Sequence, residues 1–187
     1  MKQIIPIVLM AMMLGGTAIA EQKSDDIKQS RQAVKQFFGQ LKGELQAAMK
    51  AGGPVNAIEV CSEKAPAIAR DVSKEKGLQI GRTSLKPRNP ANAPDQWEKA
   101  VLKEFEQRKA DGEHLKKMEK HEIVEQNGQQ VFRYMKAIPT GELCLKCHGT
   151  QLDPAVSARL EKLYPEDRAT GYSKGDLRGA FTIIKDL

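Results

Sequence analysis

Ile123-Val124-Glu125-Gln126-Asn127-Gly128-Gln129-Gln130-Val131-Phe132-Arg133-Tyr134-Met135-Lys136-Ala137-Ile138 runs directly into a second stretch, Cys144-Leu145-Lys146-Cys147-His148. Asn-Gly is the preferred two-residue turn between antiparallel strands. The first stretch therefore predicts a β-hairpin, Ile123 to Gln126 against Gln129 to Ile138. The second has the Cys-x-x-Cys-His spacing of a c-type haem attachment loop. Two thiols in one tight loop can each add to one vinyl group of a single porphyrin, and the adjacent His148 is then held under the iron as proximal ligand.

Working outward, helices lead and an antiparallel sheet follows. Ile27, Val34, Phe37, Phe38, Leu41, Leu45 and Met49 recur at helical spacing across Asp25 to Lys50, and Ala51-Gly52-Gly53-Pro54 ends that run. A second helix is predicted from Val55 to about Lys74, with Ile58, Cys61, Ala65, Ile68 and Val72 on its apolar face. Pro66 should kink or restart it, and Gly77 stops it. Leu78, Ile80, Arg82 and Ser84 alternate as in a strand. Pro87 to Pro94 is a loop, and Asp95 opens a helix with Trp97, Val101, Leu102 and Phe105 on one face. His114 to Glu122 is too charged to assign. Pro154 to Tyr164 reads as a short helix and Arg178 to Lys185 as a strand. Small helical cytochromes carry the haem motif near the start, and four-helix ones carry it on the last helix. Here a hairpin precedes it, and a helix and a strand follow. The expected fold class is α+β.

The start of the chain predicts export. Lys2 is a short positive region, Ile4 to Leu14 an apolar one, and Ala18-Ile19-Ala20 a cleavage site. Cleavage after Ala20 leaves one domain over 21–187, periplasmic in a Gram-negative cell and without membrane insertion. Haem c is attached outside the cytoplasm, so motif and signal predict the same compartment. The formal net charge of +6 loses only Lys2 on cleavage. That modest excess can steer an acidic partner. There is no basic stripe interleaved with aromatics to argue for nucleic acid.

The chain has three cysteines and three histidines. A structural zinc site needs four ligands, and Cys61, His114 and His121 do not complete one at finger or ribbon spacing. A redox dithiol would open a helix after a strand, whereas this motif sits among turn residues. With Cys144 and Cys147 as thioethers, Cys61 is alone, facing inward and without a disulfide partner. Cys61, Met49, Met118, Met135, His114 and His121 compete for the sixth position of the iron. Arg82 and Arg88 are candidates to bind the haem propionates, because guanidinium grips carboxylate with two bonds.

Three blocks carry a family resemblance. They are Cys61 with Ala65-Pro66-Ala67-Ile68-Ala69; Arg82-Thr83-Ser84 with Arg88-Asn89-Pro90-Ala91-Asn92-Ala93-Pro94 and Trp97-Glu98; and Phe132-Arg133-Tyr134 through Cys144–Gly149 to Tyr164-Pro165, Asp167, Ala169, Gly171-Tyr172, Gly175-Asp176 and Arg178-Gly179-Ala180. The chain resembles, from about Ile27 onward, a family of single-haem c-type domains with a PAS-like fold. That family occurs as exported proteins and as the sensing part of histidine kinases. The resemblance implies a PAS-like antiparallel sheet behind N-terminal helices. It also implies one covalent haem c ligated by His148 and Cys61. A thiolate ligand stabilises ferric iron and so implies a low potential. Its loss on reduction would free a site for carbon monoxide or nitric oxide. The expected function is a redox or diatomic-gas sensor reporting to a separate signalling or redox partner. The alternative is a soluble periplasmic electron-transfer cytochrome. No base or nucleophile constellation points to an enzyme.

Overall fold

Four antiparallel strands, with helices on both faces, carry the fold. The computed structural model describes the backbone of residues 15–187 and the side chains of 21–187. Most of the predicted export signal, residues 1–20, lies outside the described residues. No helix among the described residues is long and apolar enough to cross a membrane.

Helix α1 (Gly15–Glu59) is broken where the sequence predicts, at Gly52 and at Gly53, whose φ of 69° suits glycine. One turn of π-helix, Val60–Lys64, joins it to α2 (Ala65–Lys76), which ends on Gly77 in the left-handed region. Pro66 lies in the first turn of α2. A proline there has no N–H to donate and pushes against the carbonyl one turn back, which accounts for a widened turn just before it.

Strands β1 (Gln79–Thr83), β2 (Glu119–Gln126), β3 (Gln129–Pro139) and β4 (Leu177–Asp186) lie in the order β1-β4-β3-β2. The hairpin forms on Asn127 and Gly128, whose φ values are 54° and 79°. The charged stretch His114 to Glu122 becomes a turn, Leu115–Lys117, and the start of β2. As an edge strand, β2 pairs on one side alone, so its side chains need not be apolar.

Between β1 and β2 comes α3 (Gln96–Ala110), opened by a capping box of Asp95 and Glu98. One core packs α1 and α2 on the sheet through Phe37, Val72, Phe132, Tyr134, Phe181 and Ile183. A second packs α3 on the opposite face through Val101, Leu102, Phe105, Met118 and Met135. Burying one such aromatic stabilises by about 1.5–3 kcal/mol. An exposed pair such as Arg31 with Glu119 contributes about 0–1 kcal/mol. The apolar layers therefore hold the helices on the sheet.

Gly179 sets the spacing of the sheet beside the attachment loop. Its φ is 153°, and a Cβ built there would lie 2.3 Å from the Thr83 carbonyl oxygen. Gly179→Ala is expected to cost at least about 2 kcal/mol, seen as a lower urea midpoint with an unchanged slope. An unaltered midpoint would contradict this close approach of β1 and β4.

Candidate functional site

The attachment sequence folds as a tight turn, Glu142–Cys144, followed by the single helical turn α4 (Leu145–His148). This brings Cys144, Cys147 and His148 to one side of the molecule, each half-buried. Cys147 packs on a small apolar cluster formed by Ile58 and Val55 of α1 with Val156, Leu160 and Tyr164 of or just beyond α5 (Pro154–Leu163). Burial raises the pKa of its thiol.

The loop is bolted down from outside. Tyr172 N–H donates to the His148 carbonyl at 2.9 Å, and Gly171 N–H donates to the Gly149 carbonyl at 3.0 Å. Arg88 crosses beneath it. Its Nε donates to Asp167 at 3.0 Å, and its Nη2 donates to the carbonyls of Cys147 at 2.5 Å and Ala169 at 3.3 Å. Arg88 and Asp167 are both largely buried, so each compensates a charge that would otherwise be costly to bury.

Nδ1 of His148 lies 2.7 Å from the Ala169 carbonyl oxygen. A carbonyl only accepts, so Nδ1 carries the proton and donates, leaving the Nε2 lone pair free. Burial, then the charges of Arg178 and Arg88, hold this imidazole well below its ordinary pKa. A neutral ring with a free Nε2 is the form that binds a metal.

Cys61 sits in the π-helical turn, half-buried. That turn follows Ile58, which packs in the same apolar cluster as Cys147, so Cys61 approaches the attachment loop from a different element. Three of the competing ligands are taken up by the sheet and its α3 core. Met118 and Met135 are fully buried in the α3 core. His121 is packed edge-on to Phe132 on the edge strand, and His114 is exposed. Met49 belongs to the helical run before the Gly52 break.

The two predicted arginines differ. The guanidinium of Arg88 is taken up by Asp167 and backbone carbonyls. Arg82, on β1, stacks at 5.8 Å over Phe37, and burial lowers its pKa. No carboxylate pairs with it among the described residues. The sequence reading missed Arg178, at the start of β4, whose pKa burial also lowers. It missed Asp167 and Ala169 as partners too, although all three lie in its quoted blocks. Contacts between residues 79 or 81 positions apart leave no local signal.

This donor set fits the group that the pentapeptide calls for. Two thiols and an imidazole share one loop, Cys61 lies on the turn after Ile58, which packs with Cys147, and Arg82 and Arg178 have no carboxylate partner among the described residues. Among the described residues no three His, Cys, Asp or Glu side chains are grouped to hold a bare metal ion.

A family model described as "Tll0287-like: Tll0287" matches residues 16–185. Among solved structures, that of a cyanobacterial protein, described as "Crystal structure of the cyanobacterial heme-protein Tll0287", has the same fold. The TM-score is 0.62 at 21% identity, covering 89% of this chain and 96% of that one. Nothing among the curated proteins matches.

Proposed function

We propose that this chain, which belongs to the Tll0287-like family, is an exported cytochrome with one covalently attached haem c, acting as a periplasmic redox or diatomic-gas sensor. The observation that carries the reading is the pair of sources for the donors. Cys144, Cys147 and His148 lie in one loop, and Cys61 lies on a separate helical turn that follows Ile58, a packing partner of Cys147. The bound haem would supply one-electron Fe(III)/Fe(II) chemistry. Cys144 and Cys147 would form the thioethers. His148 would ligate through Nε2, oriented by Ala169.

Cys61 would be the sixth ligand. As an anionic sulfur donor it favours ferric iron, and it binds less firmly when the iron carries one charge less. A π-helical turn is a less regular seat than an α-helix, and such turns are frequent at functional positions. His148, by contrast, is fixed by its loop and by the Ala169 carbonyl. The signal would pass to a separate redox or signalling protein.

A second reading, a soluble electron carrier, draws on the basic net charge and on Lys146, exposed inside the attachment loop. One experiment separates the two. The sensor reading expects the reduced holoprotein to form a carbon monoxide adduct, visible as a shifted Soret band. A reduced spectrum indifferent to carbon monoxide means that both ligands stay on, as in a carrier, and ends the gas-sensing reading.

A further inference from the structure

His148 takes its orientation from a carbonyl that no helix or strand holds. Its Nδ1–H donates to the Ala169 oxygen at 2.7 Å. Ala169 lies in the irregular stretch between α5 and β4, and it makes no backbone–backbone hydrogen bond among the described residues. Both of its backbone polar groups go to side chains instead. Its N–H donates to Asp167 Oδ1 at 2.7 Å, and its carbonyl accepts from Arg88 Nη2 at 3.3 Å as well as from His148.

Asp167 and Arg88 are also joined to each other, Nε to Oδ2 at 3.0 Å. The result is a closed ring. Asp167 grips Ala169 at the N–H, Arg88 grips it at the carbonyl, and the ion pair links the two grips. The same Arg88 Nη2 donates its other hydrogen to the Cys147 carbonyl at 2.5 Å. One guanidinium thus ties the acceptor of His148 to the backbone just before His148. Ala169 and Arg88 are buried, and the Asp167 side chain is 11% exposed, so little water is at hand to replace a lost partner. The loop itself has further anchors: the amides of Gly171 and Tyr172 bond the carbonyls of Gly149 and His148 without passing through this pair.

We infer that Arg88 and Asp167 are positioning residues for the iron, which together set the Ala169 carbonyl that orients His148 and tunes its donation of electrons. This rests on the haem reading above. A histidine that ligates a metal through one ring nitrogen is oriented, and made more basic, by the acceptor its other N–H meets. An apolar pair would avoid the desolvation cost of burying two charges. It could not place an acceptor and a donor on either side of one residue.

Hydrogen exchange tests the inference, followed by NMR on the ferric holoprotein. In the wild type the Nδ1–H of His148 should exchange slowly with deuterium. D167N puts an amide N–H against either Arg88 Nε or the Ala169 N–H, donor against donor, and so opens the ring. R88K keeps the ion pair, but an ammonium cannot span Asp167, Cys147 and Ala169 as the fork does. It also covers the case in which D167N does not fold. In both variants the Nδ1–H should exchange about tenfold faster, the weight of roughly one hydrogen bond. The Gly171 and Tyr172 amides should exchange as in the wild type. The midpoint potential should rise, because a less electron-rich imidazole favours ferric iron less. An unaltered Nδ1–H rate, or a potential that does not rise, would overturn the inference. So would a joint quickening of the Nδ1–H and the two amides, since the pair would then only hold the loop. All three outcomes leave the haem reading intact. Wild-type protein lacking a haem spectrum would instead overturn that reading, and this inference with it.

Discussion

Changing Cys144 and Cys147 together to alanine is expected to abolish covalent haem. After denaturation the wild-type chain should keep its haem, read as peroxidase stain in a denaturing gel, and the double variant should keep none. Each single variant should retain one thioether, at reduced yield. The loop itself should survive, because its shape comes from other groups. Tyr172, Gly171 and Arg88 bond to its backbone rather than to the thiols. Cys147 contributes only a small apolar surface to the Val156 and Leu160 cluster, so its loss costs about 1 kcal/mol. Haem that stays with the denatured double variant would place attachment elsewhere and remove the basis of the proposal.

Much of the architecture was legible because it rests on local chemistry. The Asn127-Gly128 turn, the Gly52-Gly53-Pro54 break, Asp95 as a helix start and Gly77 as a stop each act within a few residues, and each appears where expected. Two things were not legible. The widened turn around Cys61 differs from an α-helix by one residue of hydrogen-bond spacing, and the apolar spacing of Ile58, Ala65 and Val72 does not register that. The first half of β2, Glu119 to Glu122, extends the predicted Ile123 to Gln126 strand into a charged stretch that lacks an apolar pattern, at a sheet edge that pairs with β3 alone.

The candidate site divides in the same way. Cys144, Cys147 and His148 are contiguous, so spacing alone named them. Cys61 stood out by arithmetic, as the one thiol left over, and the sequence did not show that Met118 and Met135 are carried into the α3 core. Arg88 and Arg82 looked alike in the sequence. They became different once Asp167 and the Cys147 carbonyl arrived from distant parts of the chain. Arg178 went unnoticed because an arginine at the mouth of an apolar strand is usually solvated. Here Tyr172 covers it and Gly179 lets β1 press close beside it.

The second large effect concerns Cys61. Under the proposed His148/Cys61 ligation, Cys61→Ser would replace a thiolate ligand by a neutral hydroxyl, a far weaker ligand for iron. Axial ligation moves haem potentials over about 0.8 V. Losing the thiolate should therefore raise the midpoint potential markedly and leave the ferric iron without a strong sixth ligand. The change is small in volume and lies in a half-buried turn, so the fold should be retained. Of the competing ligands, Met118, Met135 and His121 are fixed on or beneath the sheet. Ferric electron paramagnetic resonance of the wild-type and Cys61→Ser holoproteins, recorded side by side, decides whether His148 and Cys61 share one iron. The account predicts a low-spin signal in the wild type and a high-spin signal in the variant. The same low-spin signal from both would contradict it.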